Sequence, residues 1–165
     1  MFREMRRNKQ QLGAAECERI LNERSVAVLA LCGDDGYPYS VPVNYTYAEG
    51  KIIFHCAKTG HKLDAIRRSD KVSLCVIDKD DVVPEELTSY YRSVIVFGRA
   101  RIIEDAAELR RVAEVFTYKY STEPESVPGY VEDSMPALCC VEISPEHISG
   151  KESKELARQR AEGTL

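Results

Sequence analysis

The stretch SVAVLALCGDDGYPYSVPVNYTYAEGKIIFHCA, residues 25–57, constrains the fold of this chain more than any other. VAVLAL is apolar and β-branched, GDDG is a turn, PYSVPVNYTY alternates, AEGK is a second turn, and the run through FHCA is apolar again. Three strands therefore follow one another as a meander with no helix between them. In the second strand Pro42 cannot donate a ladder hydrogen bond, so that strand needs an edge, a bulge or a ligand beside its backbone at that point. Tyr37, Tyr39, Tyr45 and Tyr47 recur at period two and mark one face of it.

The other elements come irregularly around this meander. KQQLGAAECERILNER (9–24) puts Leu12, Ala15, Cys17, Ile20 and Leu21 on a partly apolar helical face. TGHKLDAIRRS (59–69) starts a second helix with Thr59 as N-cap, and KVSLCVID (71–78) returns to strand. DKDDVVPEELTSYY (78–91), acidic and carrying a proline, predicts a long connection. RSVIVFGRARIIE (92–104) predicts a β-branched strand interrupted at Gly98, where a barrel strand bends or bulges. DAAELRRVAEVFTYKY (105–120) predicts a helix with Asp105 as N-cap, Glu108 three residues on, and Leu109, Val112, Ala113 and Phe116 on one face. STEPESVPGYVEDSM (121–135) predicts a surface loop, PALCCVEI (136–143) a last strand, and the tail from residue 150 to 165 a short solvated helix.

The resulting order, α-βββ-α-β-β-α-β-α, does not suit a doubly wound parallel sheet. It predicts a mainly β fold, a six-stranded antiparallel barrel with flanking helices. A length of 165 residues matches a single domain over 1–165. The formal net charge of −4, with basic and acidic residues interspersed, implies no broad positive face for a nucleic-acid backbone. No apolar stretch has the length of a membrane span, and the basic start (Arg3, Arg6, Arg7, Lys9) is not followed by the apolar run of a secretory signal, so a cytoplasmic location is expected. Cys17, Cys32, Cys56, Cys75, Cys139 and Cys140 form no C-x-x-C pair; they read as buried thiols rather than as disulfides or metal ligands.

Dinucleotide fingerprints, P-loops, H-E-x-x-H and G-x-S-x-G are absent. One dense polar cluster remains in FHCAKTGHK (54–62): His55, Lys58, Thr59, Gly60, His61 and Lys62, where a strand ends and a helix begins. Open N–H groups at a helix N-terminus, with the positive end of its dipole, suit an anion. Gly60 lets the backbone approach a bound group, while His61 and Lys62 add donors and charge. On local chemistry alone the same turn also reads as a solvated corner, and His55 as a hydrogen-bonded core histidine. Tyr90, Tyr91, Tyr118 and Tyr120 read as packing residues, and His147 as surface or packing.

IIFHCAKTGHKLDAI, preceded by GDDGYPYSVPVNYTY and followed by YYRSVIVFGRARII, resembles the pyridoxamine 5′-phosphate oxidase-like superfamily, and within it is most similar to the nitroimidazole-resistance (Nim) family. The resemblance spans residues 6–152 and takes in the late HISGKES segment. It implies an FMN-binding split β-barrel working as a homodimer, with flavin in two symmetric clefts between subunits. It places the phosphate on His61 and Lys62, with Lys58 and Gly60 in the same turn and with His55, Cys56 and Ala57 lining the phosphate and ribityl chain. Pro42, Val43 and Asn44 would run along the flavin ring, Ser93 would reach it, and Arg92 would face cofactor or solvent.

The implied activity is FMN-dependent reduction of a small acceptor such as a 5-nitroimidazole, with His55 the polar catalytic group near the reacting face. Two departures, His61 where pyridoxamine 5′-phosphate oxidases carry arginine and the missing C-terminal arginine and histidine pattern, argue against pyridoxamine phosphate oxidation itself. A flavin carrier or sensor without turnover, or a haem-binding split barrel using His55 or His61, are the alternative readings.

Overall fold

In the computed structural model, which describes residues 2–163, the meander is present but its second strand is broken. β1 (Val26–Cys32) and β2 (Pro38–Asn44) form one hairpin, while β3 (Thr46–Ala48) and β4 (Lys51–Ala57) form another. Tyr45 alone separates β2 from β3. Its side chain is fully buried, its hydroxyl donates to the Leu21 carbonyl at 2.9 Å, and its N–H donates to the Ser25 carbonyl. The four tyrosines therefore do not share a face, since Tyr37 is exposed and Tyr45 is in the core. The same break turns the expected six strands into seven.

The remaining strands are β5 (Lys71–Val83), β6 (Thr88–Ile102) and β7 (Leu138–Glu152), and all neighbours in the order β2-β1-β5-β6-β7-β4-β3 are antiparallel. The two edge strands of this sheet are thus consecutive in the chain. The sheet has to curl until its edges meet at Tyr45, which gives a barrel split between β2 and β3. Its interior is filled by Leu29, Leu31, Ile52, Phe54, Leu74, Val76, Val94, Val96 and Val141, with α1 (Ala14–Glu23) adding Ile20 and Leu21 and α2 (His61–Arg68) adding Leu63 and Ile66.

A second, smaller core lies outside the barrel, where α3 (Ala106–Tyr120) and α4 (Val127–Ser134) cover β4 and β7 through Ile53, Cys140, Val112, Phe116, Val127 and Val131. β4 consequently sends Phe54 into the barrel and Ile53 and His55 toward α3. The expected Asp105 cap is present, its side chain accepting from the Glu108 N–H at 2.8 Å.

Three other sequence expectations change. The stretch 78–91 is not a loop: β5 and β6 continue as a hairpin whose turn is confined to 84–87. The segment 121–135 contains α4, whose Val127 and Val131, one turn apart, are buried. β7 extends to Glu152, and α5 (Lys154–Glu162) buries Leu156 beneath a Ser153 cap instead of lying wholly in solvent. Gly98 does mark a bulge: the β6–β7 register shifts between Phe97 and Gly98, and a Cβ there would lie 2.4 Å from the Ser144 carbonyl oxygen. Of the six thiols, Cys17, Cys139 and Cys140 are buried and Cys56 and Cys75 half-buried, whereas Cys32 at the end of β1 is exposed. No described helix is long and apolar enough to cross a membrane.

Candidate functional site

The end of β4 carries two adjoining features, a polar corner ahead of α2 and a cleft beneath α3 and α4. The corner is built by Gly60, at φ 135 and ψ 166, backbone angles that are almost exclusive to glycine. Gly60, not Thr59, is the N-cap of α2, and no side chain caps the helix. Its carbonyl accepts from the N–H groups of Leu63 at 3.0 Å and Asp64 at 3.2 Å. The N–H groups of His61 and Lys62 meet no acceptor among the described residues, and a Cβ on Gly60 would touch nothing within 4 Å.

Lys58 and Lys62 have no carboxylate partner among the described residues, whereas His61 is engaged on two sides. Its ring stacks on Tyr39 with centroids 4.0 Å apart, and its Nε2 lies 3.3 Å from Asp34 Oδ2. Asp34 also meets Arg68 at 2.5 Å, and that guanidinium holds its carboxyl below the usual carboxylate range. These residues fit a phosphate monoester: two free amides at the positive end of a helix, an unpaired lysine, and no side chain in the approach. Asp34 is a competitor for His61 that sequence reading did not single out.

The cleft has a volume of about 420 Å³ and is lined by Asn44, His55, Phe116, Tyr120, Ser126 and Tyr130, among others. His55 stands edge-on to the Phe116 ring at 4.5 Å. Burial in this aromatic surrounding lowers its pKa from the ordinary 6.5, so the imidazole is neutral at pH 7 and offers one N–H donor and one acceptor. Tyr120 packs on Phe116 as expected, but its hydroxyl is not left to water: it donates to the Tyr45 carbonyl at 2.6 Å and pins α3 beside the barrel split. Aromatic walls with a few convergent polar groups have the character that suits a small molecule. Phe116 and Tyr120 stood in a predicted helix, but Ser126, Val127 and Tyr130 were hidden in a stretch read as loop. Only the spacing of Val127 and Val131 signalled the helix that brings them here.

The structure therefore gathers His55 and Asn44 at the cleft and Lys58, Gly60, His61 and Lys62 at the corner. Cys56 packs against the barrel core, in register with Cys139, and burial pushes its thiol up to about 11, so the half-buried side chain stays a neutral thiol. Ala57 is exposed at the last position of β4. Pro42 and Val43 lie on β2, an edge strand, where a missing donor costs least. Ser93 lies on the middle strand β6, paired with Ile77 and Lys151, and lines neither cleft nor corner. Arg92 faces an ion cluster instead of cofactor or solvent: Glu16 at 3.3 Å, Asp78 at 3.5 Å and the fully buried Glu152 at 3.5 Å. His147 packs flat against Phe2 at 4.8 Å.

A family model described as pyridoxamine 5′-phosphate oxidase matches residues 13–152. Comparison with curated proteins finds no match. Among solved structures, a conserved hypothetical protein of Mycobacterium tuberculosis is 25% identical with a TM-score of 0.77, covering 93% of this chain and 92% of that one. A candidate 5-nitroimidazole antibiotic resistance protein of Bacteroides thetaiotaomicron is 19% identical with a TM-score of 0.74, covering 86% of each chain. An FAD-binding protein of Mesorhizobium loti is 25% identical with a TM-score of 0.64, covering 87% of this chain and 97% of that one. With the matched region taking in every strand of the split barrel and the corner ahead of α2, the chain belongs to the pyridoxamine 5′-phosphate oxidase family.

Proposed function

We propose that this protein is an FMN-dependent oxidoreductase that reduces a small acceptor, such as a nitroaromatic, held in the cleft at His55. The observation that carries the reading is the uncapped N-terminus of α2 behind Gly60, with Lys62 unpaired, at the end of the same strand that presents His55 to an aromatic cleft. In this reading Lys62 and the free amides of His61 and Lys62 hold the phosphate, with Lys58 supplying further positive charge. His61 joins them where phosphate outcompetes Asp34. Pro42, Val43 and Asn44 flank the ring along the open edge of the sheet. Bound there, FMN supplies the electron transfer that no side chain of the cleft can perform.

Neutral His55 donates or accepts a hydrogen bond at the acceptor, and Phe116 and Tyr130 exclude water from it. The flavin-binding relative of Mesorhizobium loti supports the cofactor class, and the Bacteroides thetaiotaomicron relative the acceptor class.

The reading includes a homodimer. Val26, Ile77, Ile95 and Phe97 are exposed on the outer face of β1, β5 and β6, at 51, 57, 39 and 39%. The register Val28–Cys75–Ile95 makes this face continuous across the three strands. A continuous apolar face of this kind suits a second copy, which would carry its own Ser93 toward the flavin of the first.

A spectrum of the purified protein tests the cofactor. Yellow protein that bleaches with a reduced nicotinamide donor and recovers with a nitroaromatic is expected. Yellow colour without turnover indicates a carrier, and a haem band in place of flavin bands overturns the assignment. Lys62→Ala is expected to weaken FMN binding by about 1.5–3 kcal/mol, roughly 10-fold to 150-fold in Kd. Unchanged affinity removes the phosphate from this corner.

A further inference from the structure

A chain of net charge −4 carries a cleft whose charged lining residues are all cationic. It lies between the segment preceding α1 and the outer face of α5 and has a volume of about 850 Å³. Arg6, Arg7 and Lys9 form one wall, and Lys154 and Arg158 the other. Ala157 and Ala161, on the same side of α5 as Arg158 and Lys154, make an apolar floor. Compensation by carboxylates is slight. Lys154 meets Glu155 at 3.5 Å and Arg158 meets Glu162 at 3.8 Å, while Arg6, Arg7 and Lys9 have no ion pair among the described residues.

Both walls are fixed in place. Residues 8–10 form a 3-10 turn, Gln11 bridges Lys151 of β7, the Leu12 N–H donates to the Gly150 carbonyl at 3.0 Å, and Arg160 donates to the Gln11 carbonyl at 3.3 Å. Gln10, which also lines the cleft, is only 7% exposed, and its Oε1 meets no donor among the described residues. A buried amide oxygen left without a donor is costly in a folded chain, and a turn of the Gln10 amide into the cleft would let a ligand hydroxyl or amino group satisfy it.

We infer that this cleft binds an adenine nucleotide carrying two or more phosphate groups. The five cations match the phosphates, the alanine floor takes the face of the base, and Gln10 accepts from a ribose hydroxyl or the exocyclic amine. Inorganic phosphate would use only the first of these. A nucleic acid would need a longer basic track than one cleft on an acidic chain. Two sources share this chemistry, a free nucleoside polyphosphate and the adenosine half of a phosphorylated nicotinamide dinucleotide. The second would make the cleft the docking point of a reductant. The site stands apart from the corner at α2 and does not depend on the flavin reading.

Calorimetric titration of the full chain with ATP, NADP⁺, tripolyphosphate and a short single-stranded oligonucleotide tests it. Saturable binding of ATP or NADP⁺ is expected, weakening with salt, tighter than tripolyphosphate, and reduced at least about tenfold in Arg7→Ala/Arg158→Ala with the flavin spectrum unchanged. Preference for ATP identifies the free nucleotide, and preference for NADP⁺ the dinucleotide. Gln10→Met is expected to weaken nucleotide binding while leaving tripolyphosphate binding as it was. No saturable nucleotide binding, tripolyphosphate bound as tightly as ATP, or affinities unaltered in the double variant would overturn the inference, as would binding confined to an oligonucleotide.

Discussion

Gly60→Ala separates the strain held at the corner from every packing effect. At φ 135 and ψ 166 the residue occupies a backbone region that an alanine adopts only at a cost of about 1–3 kcal/mol. The added methyl group meets nothing within 4 Å, so no clash contributes. The variant can respond in two ways. Either the corner keeps its shape and the whole fold loses stability, lowering Tm by about 3–9 °C at this chain length, or the corner relaxes and the amides of His61 and Lys62 turn away, leaving Tm near its original value while flavin affinity falls. The losses in unliganded stability and in binding free energy should therefore total about 1–3 kcal/mol, however they divide.

Thermal melts of the flavin-free protein and a fluorescence titration with FMN measure the two parts. Gly129→Ala serves as control: it sits in α4 without a positive φ or a close neighbour, and should be neutral or up to about 1 kcal/mol more stable. A Gly60→Ala protein matching the original in both Tm and Kd would show that the corner is neither strained nor used.

Gly98→Ala drives a methyl group against the Ser144 carbonyl and the Ile143 side chain at the β6–β7 bulge, and should cost about 1–3 kcal/mol in urea denaturation; an unchanged midpoint would count against the bulge. Burial lowers the His55 pKa from 6.5, so below pH 6.5 the unfolded chain takes up a proton that the folded chain refuses, and stability falls with acidification. His55→Gln should flatten that part of the profile, and equal slopes in the two proteins below pH 6.5 would refute the assignment. Ile95→Lys places a charge in the centre of the exposed sheet face and should yield monomers in sedimentation; an original protein that is itself monomeric at micromolar concentration would remove the dimer from the proposal.

What the sequence made legible follows from where burial imposes a pattern. α3 has one face against a core, so period 3.6 survives in DAAELRRVAEVF, while β1 and β4 were legible as the unbroken apolar runs VAVLAL and IIF, β4 being covered by the barrel core on one side and by α3 on the other. The outer half of the β5–β6 hairpin has Asp80, Asp81, Val82 and Leu87 in solvent, and without a buried face its charges and proline looked like a loop. α4 is short, and only Val127 and Val131 report its buried side. The break at Tyr45 was invisible because a tyrosine sustains alternation whether it points along a sheet or into a core.

At the site, the Gly-His-Lys turn was readable since glycine and the cationic residues are adjacent in sequence. The cleft was not, because its walls come from β2, β4, α3 and α4 and meet only after the barrel closes. Asp34 reaches His61 from a turn nearly thirty residues upstream, for which no local pattern exists.

The strand order also sets the sequence of events during synthesis. β1 with β2, β3 with β4, and β5 with β6 are local hairpins that can form as soon as each leaves the ribosome. β4 obtains its second neighbour only from β7, whose Cys140 pairs with His55 from more than eighty residues downstream. Such a distant pairing is entropically slow to form and leaves β4 as an open edge in the meantime. The strand that carries His55 is thus completed last, and a chain stalled before β7 would hold every wall of the corner and the cleft around a β4 edge still unpaired.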